Sequence, residues 1–385
     1  MTTPPTPPPP PPPGAPSAQP APAYPQAGSP QAPQPYGYPT AQQYGYPPGP
    51  YAGPPLAPKP PTLPQDAVEY QHLLRGARRA WWRPLVSLLL VLVGILGASI
   101  GLLFFVVVGW LVTGEDLGAF EALSLDFNNP VSFAGQNLWL AMLIPIAGLA
   151  TWIAHGVRPG FVSSVVGRFR WGWFAWCLLV VVPLWLGYIL IATLVLDDSG
   201  LTWDTAGRPS TWVALLVLTF LTTPLQAAGE EYLFRGWLMQ QVGAYVRNTY
   251  AALAIAIVLS SVIFALAHTS LDPWVLIDLG AFATAAVLLT WRTGGLEAAV
   301  ALHIVNNVIV LCVSILTVGL GDAFVTPETT GSPLGTLMSL VAYVVVTAVI
   351  WWLAGRRGVA RRSVPAQATS PGVAAVTPQA LTGGR

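Results

Sequence analysis

A few polar side chains stand where apolar ones would be expected. Glu230, Glu231 and Arg235 lie in the string Gly-Glu-Glu-Tyr-Leu-Phe-Arg, His268 follows Phe264 by four residues, and His303 and Asn307 are four apart. Each group sits in a long apolar stretch, where charge is costly and therefore marks functional candidates. Positions four apart share a helix face. Glu231 and Arg235 can thus pair, Phe264 can pack beneath the His268 imidazole, and His303 and Asn307 can point the same way. Glu230 is turned about 100° from Glu231 on a helix of 3.6 residues per turn, with no evident local partner. One carboxylate, two imidazoles and an amide from three helices can then converge on one interior point.

Such a set suits hydrolysis. A carboxylate in a low-dielectric site can act as general base on water, and a neighbouring imidazole can share that water and later protonate a leaving amine. A second imidazole and an amide can donate to a tetrahedral oxyanion. The same groups also suit zinc: Glu230, His268 and His303 would supply three ligands and leave a fourth position for water. Both schemes are open on the residues alone. The zinc signature His-Glu-x-x-His and the nucleophile elbow Gly-x-Ser-x-Gly are absent.

Other polar residues have plainer readings. The Glu231–Arg235 pair reads as self-neutralising support. Asn306 reads as structural, and His72 and His155 as interfacial. Asp278 reads either as a partner for an imidazole or as an interfacial residue. Glu297 with Arg292 reads as the cytoplasmic edge of its span. Thr222, Thr223 and Pro224 read as loosening the backbone before Glu230.

The elements that must hold these groups follow from composition. The chain has 385 residues, of which 54% are hydrophobic and only 9% charged, too little charge to solvate a soluble globular surface. A net charge of +1 gives no reason to expect nucleic acid. Cys177 and Cys312 are too few for a disulfide framework or a cysteine zinc site. Eight apolar stretches, near 84–112, 138–154, 171–196, 211–238, 250–268, 274–291, 296–318 and 335–353, are each long enough to cross a bilayer. The fold class is therefore all-α, a polytopic membrane protein of about eight transmembrane helices.

Loop charges alternate along the chain. Glu115, Asp116, Glu121 and Asp126 follow the first stretch, Arg158, Arg168 and Arg170 the second, Asp197, Asp198 and Asp204 the third, and Arg356, Arg357, Arg361 and Arg362 the last. The positive-inside rule then places both termini in the cytoplasm of a multi-pass cell-membrane protein.

The segments outside the spans differ in kind. Residues 1–64 carry most of the 39 prolines and read as a disordered tail with polyproline II character, a spacer or a ligand for a proline-binding partner. Residues 65–83 are basic, end in Trp81 and Trp82, and read as a short interfacial helix. N-terminal transmembrane helices fill 84–196, the polar motifs occupy 211–318, a last helix covers 335–353, and a basic tail runs over 354–385.

Taken in order on successive spans, Glu230-Glu231-x-x-x-Arg235, Phe264-x-x-x-His268 and His303-x-x-x-Asn307 resemble the three motifs of the CPBP family. These are the CAAX proteases and bacteriocin-processing enzymes, also called Abi proteins. The resemblance covers about 211–318 and implies an all-helical intramembrane endopeptidase acting on a membrane-associated protein or peptide. It also implies that Glu230 and His268 activate water, that His303 and Asn307 form the oxyanion pocket, and that Glu231, Arg235 and Phe264 support them. The family has been labelled metalloprotease, and a metal-free glutamate mechanism is also argued for it, so the resemblance requires no cofactor and allows zinc. Membrane lipid and a membrane-associated substrate are the implied partners. Two rival readings are a non-catalytic scaffold or peptide-binding immunity protein, and a proton-coupled transporter. The lack of an internal repeat counts against the transporter.

One arithmetical tension remains. At 1.5 Å per residue from the cytoplasmic ends of their spans, His303 lies about 11 Å deep and His268 about 27 Å. The expected resolution is that span five begins deeper, after a partly inserted segment near 236–249, and that the site opens to the cytoplasmic side.

Overall fold

The computed structural model describes residues 61–76, 78–113, 127–195, 205, 207–268, 270–317, 319–320 and 324–365. Nearly all of the proline-rich tail, the acidic loops 114–126 and 196–204, and most of the C-terminal tail lie outside these residues. The described chain is helical, and among the described residues the extended pairing is limited to two isolated bridges, Glu69 with Arg362 and Ser164 with Gly295. The helices are α1 (Arg83–Thr113), α2 (Pro130–Ala141), α3 (Leu143–His155), the one-turn α4 (Gly160–Ser163), α5 (Trp171–Val195), α6 (Trp212–Glu231), α7 (Met239–Tyr245), α8 (Thr249–His268), α9 (Pro273–Thr293), α10 (Glu297–Leu316) and α11 (Pro333–Arg356).

Among the described residues, eight helical segments are long and apolar enough to cross a membrane, as the sequence predicts. Two differ from expectation in extent. The second span is α2 and α3 in series, beginning at Pro130. The fourth does not stop near 238. A π-helical turn at Tyr232–Leu238 joins α6 to α7, and the helix runs from Trp212 to Tyr245. The segment expected to be a partial insertion is therefore the end of this helix, and Met239, Gln240, Gln241, Gly243 and Ala244 are buried. π turns inside α-helices are frequent at functional sites, and this one carries Arg235.

The helices are not equally buried. α1 shows Leu85, Leu89, Leu92 and Leu96 on its outer surface, a face suited to lipid, and packs mainly on α3. α6 lies between α2 and α10, α10 also meets α5 and α9, and α9 meets α8 and α11. Trp185, Phe234, Phe264, Phe282, Leu302 and Tyr343 form the main core, drawn from α5, the π turn, α8, α9, α10 and α11. Gly229 permits the close approach of α6 to α2: a Cβ there would lie 2.1 Å from the Leu140 carbonyl oxygen. The glycine sits directly before Glu230, so this packing sets the height of the carboxylate. The Asn137 amide clips the same interface by donating to the Thr222 and Thr223 hydroxyls, at 2.8 and 3.2 Å. α6 nonetheless stays helical through Thr222, Thr223 and Pro224.

A layer of non-spanning segments closes the end of the bundle that carries the basic residues. The stretch 65–83 is not a helix lying on the surface. It contributes a single 3₁₀ turn, Tyr70–His72, and Tyr70, Leu73 and Leu74 are buried against protein. Those three apolar side chains find protein partners, including Val157, Val165, Met239 and Ala244, so this part of the segment packs inward while Trp81 and Trp82 are exposed. Val68 and Ser363 exchange hydrogen bonds, and Arg361 pairs with Glu69 at 2.8 Å. His72 and His155 are both tied in, to the Val246 carbonyl at 3.2 Å and the Gln241 amide at 3.1 Å.

This layer also covers the start of α10. Ser163 and Val165 bond across to Leu296 and Gly294 at 2.9 Å each. Gly294 takes a left-handed φ of 66°, and a Cβ there would lie 2.5 Å from the Ala360 carbonyl oxygen. Glu297, expected beside Arg292, is instead held by Arg170, whose backbone N–H and Nε each reach Oε1 at 2.8 Å while Nη2 reaches Oε2 at 2.6 Å. Arg292 stacks over Trp351.

Candidate active site

α6 and α10 bring the first and third motifs face to face. The Arg235 guanidinium donates to Glu231 Oε1 at 2.8 Å, and both side chains are fully buried. His303 Nδ1 lies 2.8 Å from that same carboxylate oxygen, and its Nε2 lies 3.3 Å from Glu230 Oε2. Both carboxylates thus converge on one imidazole. Glu230, expected to turn away without a partner, meets His303 on the nitrogen opposite Glu231. The reason is that the ring stands between two consecutive residues of the helix opposite it, and the 100° between them matches its two edges.

Gln226 is a site residue that the motif reading passed over. Its amide donates to Glu230 Oε1 at 3.0 Å, and its carbonyl oxygen accepts from Asn307 Nδ2 at 3.1 Å. It lies one turn before Glu230, an amide in an apolar span, and that position was the available signal. Asn306 joins the chain by donating to Asn307 Oδ1 at 2.9 Å. The result is two hydrogen-bonded runs, Asn306–Asn307–Gln226–Glu230 and His303–Glu231–Arg235, that meet where His303 Nε2 lies 3.3 Å from Glu230 Oε2.

Protons in these runs can be counted. Neutral imidazole has one N–H, and imidazolium has two. With both carboxylates ionised, both nitrogens of His303 donate, and the charges of Glu230, Glu231, Arg235 and His303 cancel. With a neutral ring donating to Glu231, the proton between Nε2 and Oε2 resides on Glu230. At 3.3 Å, His303 Nε2 and Glu230 Oε2 are placed to exchange a proton, as an acid–base pair requires.

Aromatic rings enclose the charged end. Arg235 lies 5.3 Å from the Phe282 centroid, 5.8 Å from Phe264 and 5.9 Å from Phe234. Its Nε and Nη2 are buried without hydrogen-bond partners, so the rings take up part of its charge by cation–π attraction. The His303 ring meets Phe282 edge-on at 4.8 Å.

The second motif is placed through Phe264. Its ring centroid is 6.3 Å from His303 and 4.3 Å from His268. His268 Nδ1 meets the Phe264 carbonyl oxygen at 2.7 Å. His268 therefore stands one turn beyond the level of His303, at the end of α8, with Phe264 between the two imidazoles.

The Phe264 and His303 rings meet although Phe264 is roughly 22 Å along α8 and His303 roughly 9 Å along α10 at 1.5 Å per residue. The 157–170 segment and the chain near Ala360 pack against the start of α10. Span five itself starts at Thr249 with no inserted segment before it.

Asp278 does not touch either imidazole. It accepts a hydrogen bond from the Ser339 hydroxyl and another, at 3.4 Å, from the Tyr343 hydroxyl.

The ligand set considered for zinc does not fit the arrangement. Both nitrogens of His303 face carboxylates, His268 stands across Phe264, and no three His, Cys, Asp or Glu side chains among the described residues form a group able to hold a metal ion.

Comparison with known proteins agrees with the motifs. No curated protein and no solved structure matches the chain. Residues 209–309, which span α6 to most of α10, match the family model described as type II CAAX prenyl endopeptidase Rce1-like. The matched segment holds all three motifs, and the match agrees with their resemblance to the CAAX protease family.

Proposed function

We propose that the chain hydrolyses a peptide bond in a membrane-associated protein or peptide, with Glu230 as the base that activates water and no step through a metal. The observation that carries this reading is the double engagement of His303, Nδ1 on Glu231 and Nε2 facing Glu230. Glu231, held by Arg235, fixes the ring orientation, leaving Nε2 and Glu230 as the proton-sharing pair.

The steps balance without another reagent. Glu230, ionised, takes a proton from water as the water oxygen attacks the scissile carbonyl carbon. Protonated Glu230 no longer holds the His303 Nε2–H as a carboxylate does, so that N–H becomes available to the developing oxyanion. Asn307 Nδ2 has a second N–H beyond the one given to Gln226 and serves as the other donor. Collapse of the tetrahedral intermediate breaks the C–N bond, and the proton passes to the departing amine, with His268 as the positioned relay at the end of α8. The second proton of the water passes from the new carboxyl group to the amine, so the products are a carboxylate and an ammonium group.

The test is cleavage of a fluorogenic membrane-peptide library by the purified protein, with Glu230→Ala and a strong zinc chelator in parallel. The proposal expects turnover that Glu230→Ala abolishes and the chelator leaves unchanged. Turnover surviving Glu230→Ala would overturn it, and turnover lost to the chelator would replace the glutamate scheme by a metal one.

A further inference from the structure

Asp278 lines a second cavity, distinct from the His303 network. The cavity has a volume of about 360 Å³ and lies between α5, α9, α10 and α11, at the end of the bundle where Trp274 and the 331–332 turn lie. Trp185, Tyr188, Trp274 and Tyr343 supply aromatic wall, and Asn306 supplies an amide. This size falls within the range of small-ligand pockets.

The chemistry of the wall is specific. A carboxylate offers about four acceptor positions, and Ser339 and Tyr343 use two of those on Asp278. Among the described residues no Lys, Arg or His forms an ion pair with Asp278. The Trp185 indole N–H, on a side chain 1% exposed, has no hydrogen-bond partner. A carboxylate within a span is costly unless something neutralises it. A hard divalent ion would need six or more oxygens, which this aromatic wall lacks. An organic cation fits better, because ring faces attract it and the carboxylate accepts its N–H bonds.

The cavity also reaches the catalytic run. Asn306 lines it and bonds to Asn307. Phe282, one turn after Asp278, touches His303 on one side at 4.8 Å and Tyr343 on the other at 5.9 Å. We infer that the cavity binds an alkylammonium group, and, on the peptidase reading above, that this group belongs to the substrate, a lysine side chain or amino terminus near the cut bond. An ethanolamine headgroup is the other source of the same chemistry.

Binding is tested apart from cleavage. Full-length protein in nanodiscs of phosphatidylglycerol alone is titrated with n-butylammonium and, as uncharged control, 1-butanol, read by ligand-observed NMR. The inference expects saturable binding of the amine only, weakened about tenfold or more by Asp278→Asn and retained in Glu230→Gln. Equal binding of amine and alcohol would overturn it without recourse to any variant, should Asp278→Asn fail to fold. So would amine binding that is indifferent to Asp278→Asn, or lost in Glu230→Gln. Paired peptides with lysine or norleucine then address the source. Preference for lysine that Asp278→Asn erases assigns the amine to substrate, and displacement of n-butylammonium by added phosphatidylethanolamine assigns it to lipid. Absence of turnover from both peptides would count against the peptidase reading alone, since amine binding is measured independently.

Discussion

Phe282 touches both His303 and Tyr343, the latter bonded to Asp278, and the molecule treats His303 and Asp278 in opposite ways. Around His303 the polar groups engage one another: two carboxylates, a guanidinium and an imidazole gather beside a cage of phenylalanines. Around Asp278 the neighbours are hydroxyls, and the remaining acceptor capacity faces a cavity. A closed network holds reacting groups in place before substrate arrives, whereas an open carboxylate is completed only by something that binds. The difference separates machinery from recognition more clearly than the identity of the residues does, since both sites rest on carboxylates within apolar spans.

The comparison breaks first on the closed side. Arg235→Ala leaves Glu231 buried with no guanidinium, and removing one partner of a buried pair costs roughly 3–5 kcal/mol. The folded yield and thermal midpoint in detergent should both drop sharply, and turnover with them. An unchanged midpoint would mean that the Phe234, Phe264 and Phe282 cage does not enclose a charge.

Asn307→Ala removes a single donor from the proposed oxyanion pocket and should lower kcat by about 10²–10³ with the fold intact, the usual effect of losing one such group. A change confined to KM would reassign Asn307 to substrate binding. Gln226→Leu should be milder, about tenfold in kcat, because the amide only orients Glu230 and Asn307. A kcat equal to the wild type would show that the amide is only packing.

These residues also show what the sequence made legible. The three motifs, the eight spans and the Glu231–Arg235 pair can be read because helical spacing is local: four residues bring two side chains to one face. Gln226 obeys the same rule, and was legible in principle. The convergence of both glutamates on His303 was not, because it depends on how α10 is rotated and raised against α6. Neither was the pairing of Glu297 with Arg170, since nothing local links positions so far apart in the chain. The loops packed against the start of α10 come from distant parts of the chain, and no hydropathy pattern encodes that. The inward packing of Tyr70, Leu73 and Leu74 was hidden by the basic residues around them.

The smallest expected effect is on that layer and is pH-dependent. Burial lowers the His72 imidazole below its ordinary value of 6.5, so the buried neutral form favours the packed segment above that pH. Burial alone would raise the Glu69 carboxyl, but hydrogen bonds from Trp291, Gln71 and Thr249 and the charge of Arg361 hold it below its ordinary 4.5. A depressed base and a depressed acid both lose stabilisation as pH falls, the first below about 6.5 and the second below about 4.5. Limited proteolysis within 61–76 should therefore be faster at pH 5 than at pH 7.5, relative to an unstructured reference peptide. His72→Gln should flatten the upper part of that difference.

The central claim is that Glu230 acts chemically while the pair behind His303 only holds the ring. Glu230→Gln tests it most directly, because the amide keeps the size of the side chain and removes the base. Single-turnover cleavage of one fluorogenic membrane peptide, with the thermal midpoint measured on the same preparation, is the measurement to make. The account predicts a loss of about 10²–10⁴ in rate at a midpoint close to wild type. Cleavage at the wild-type rate by folded Glu230→Gln would contradict it.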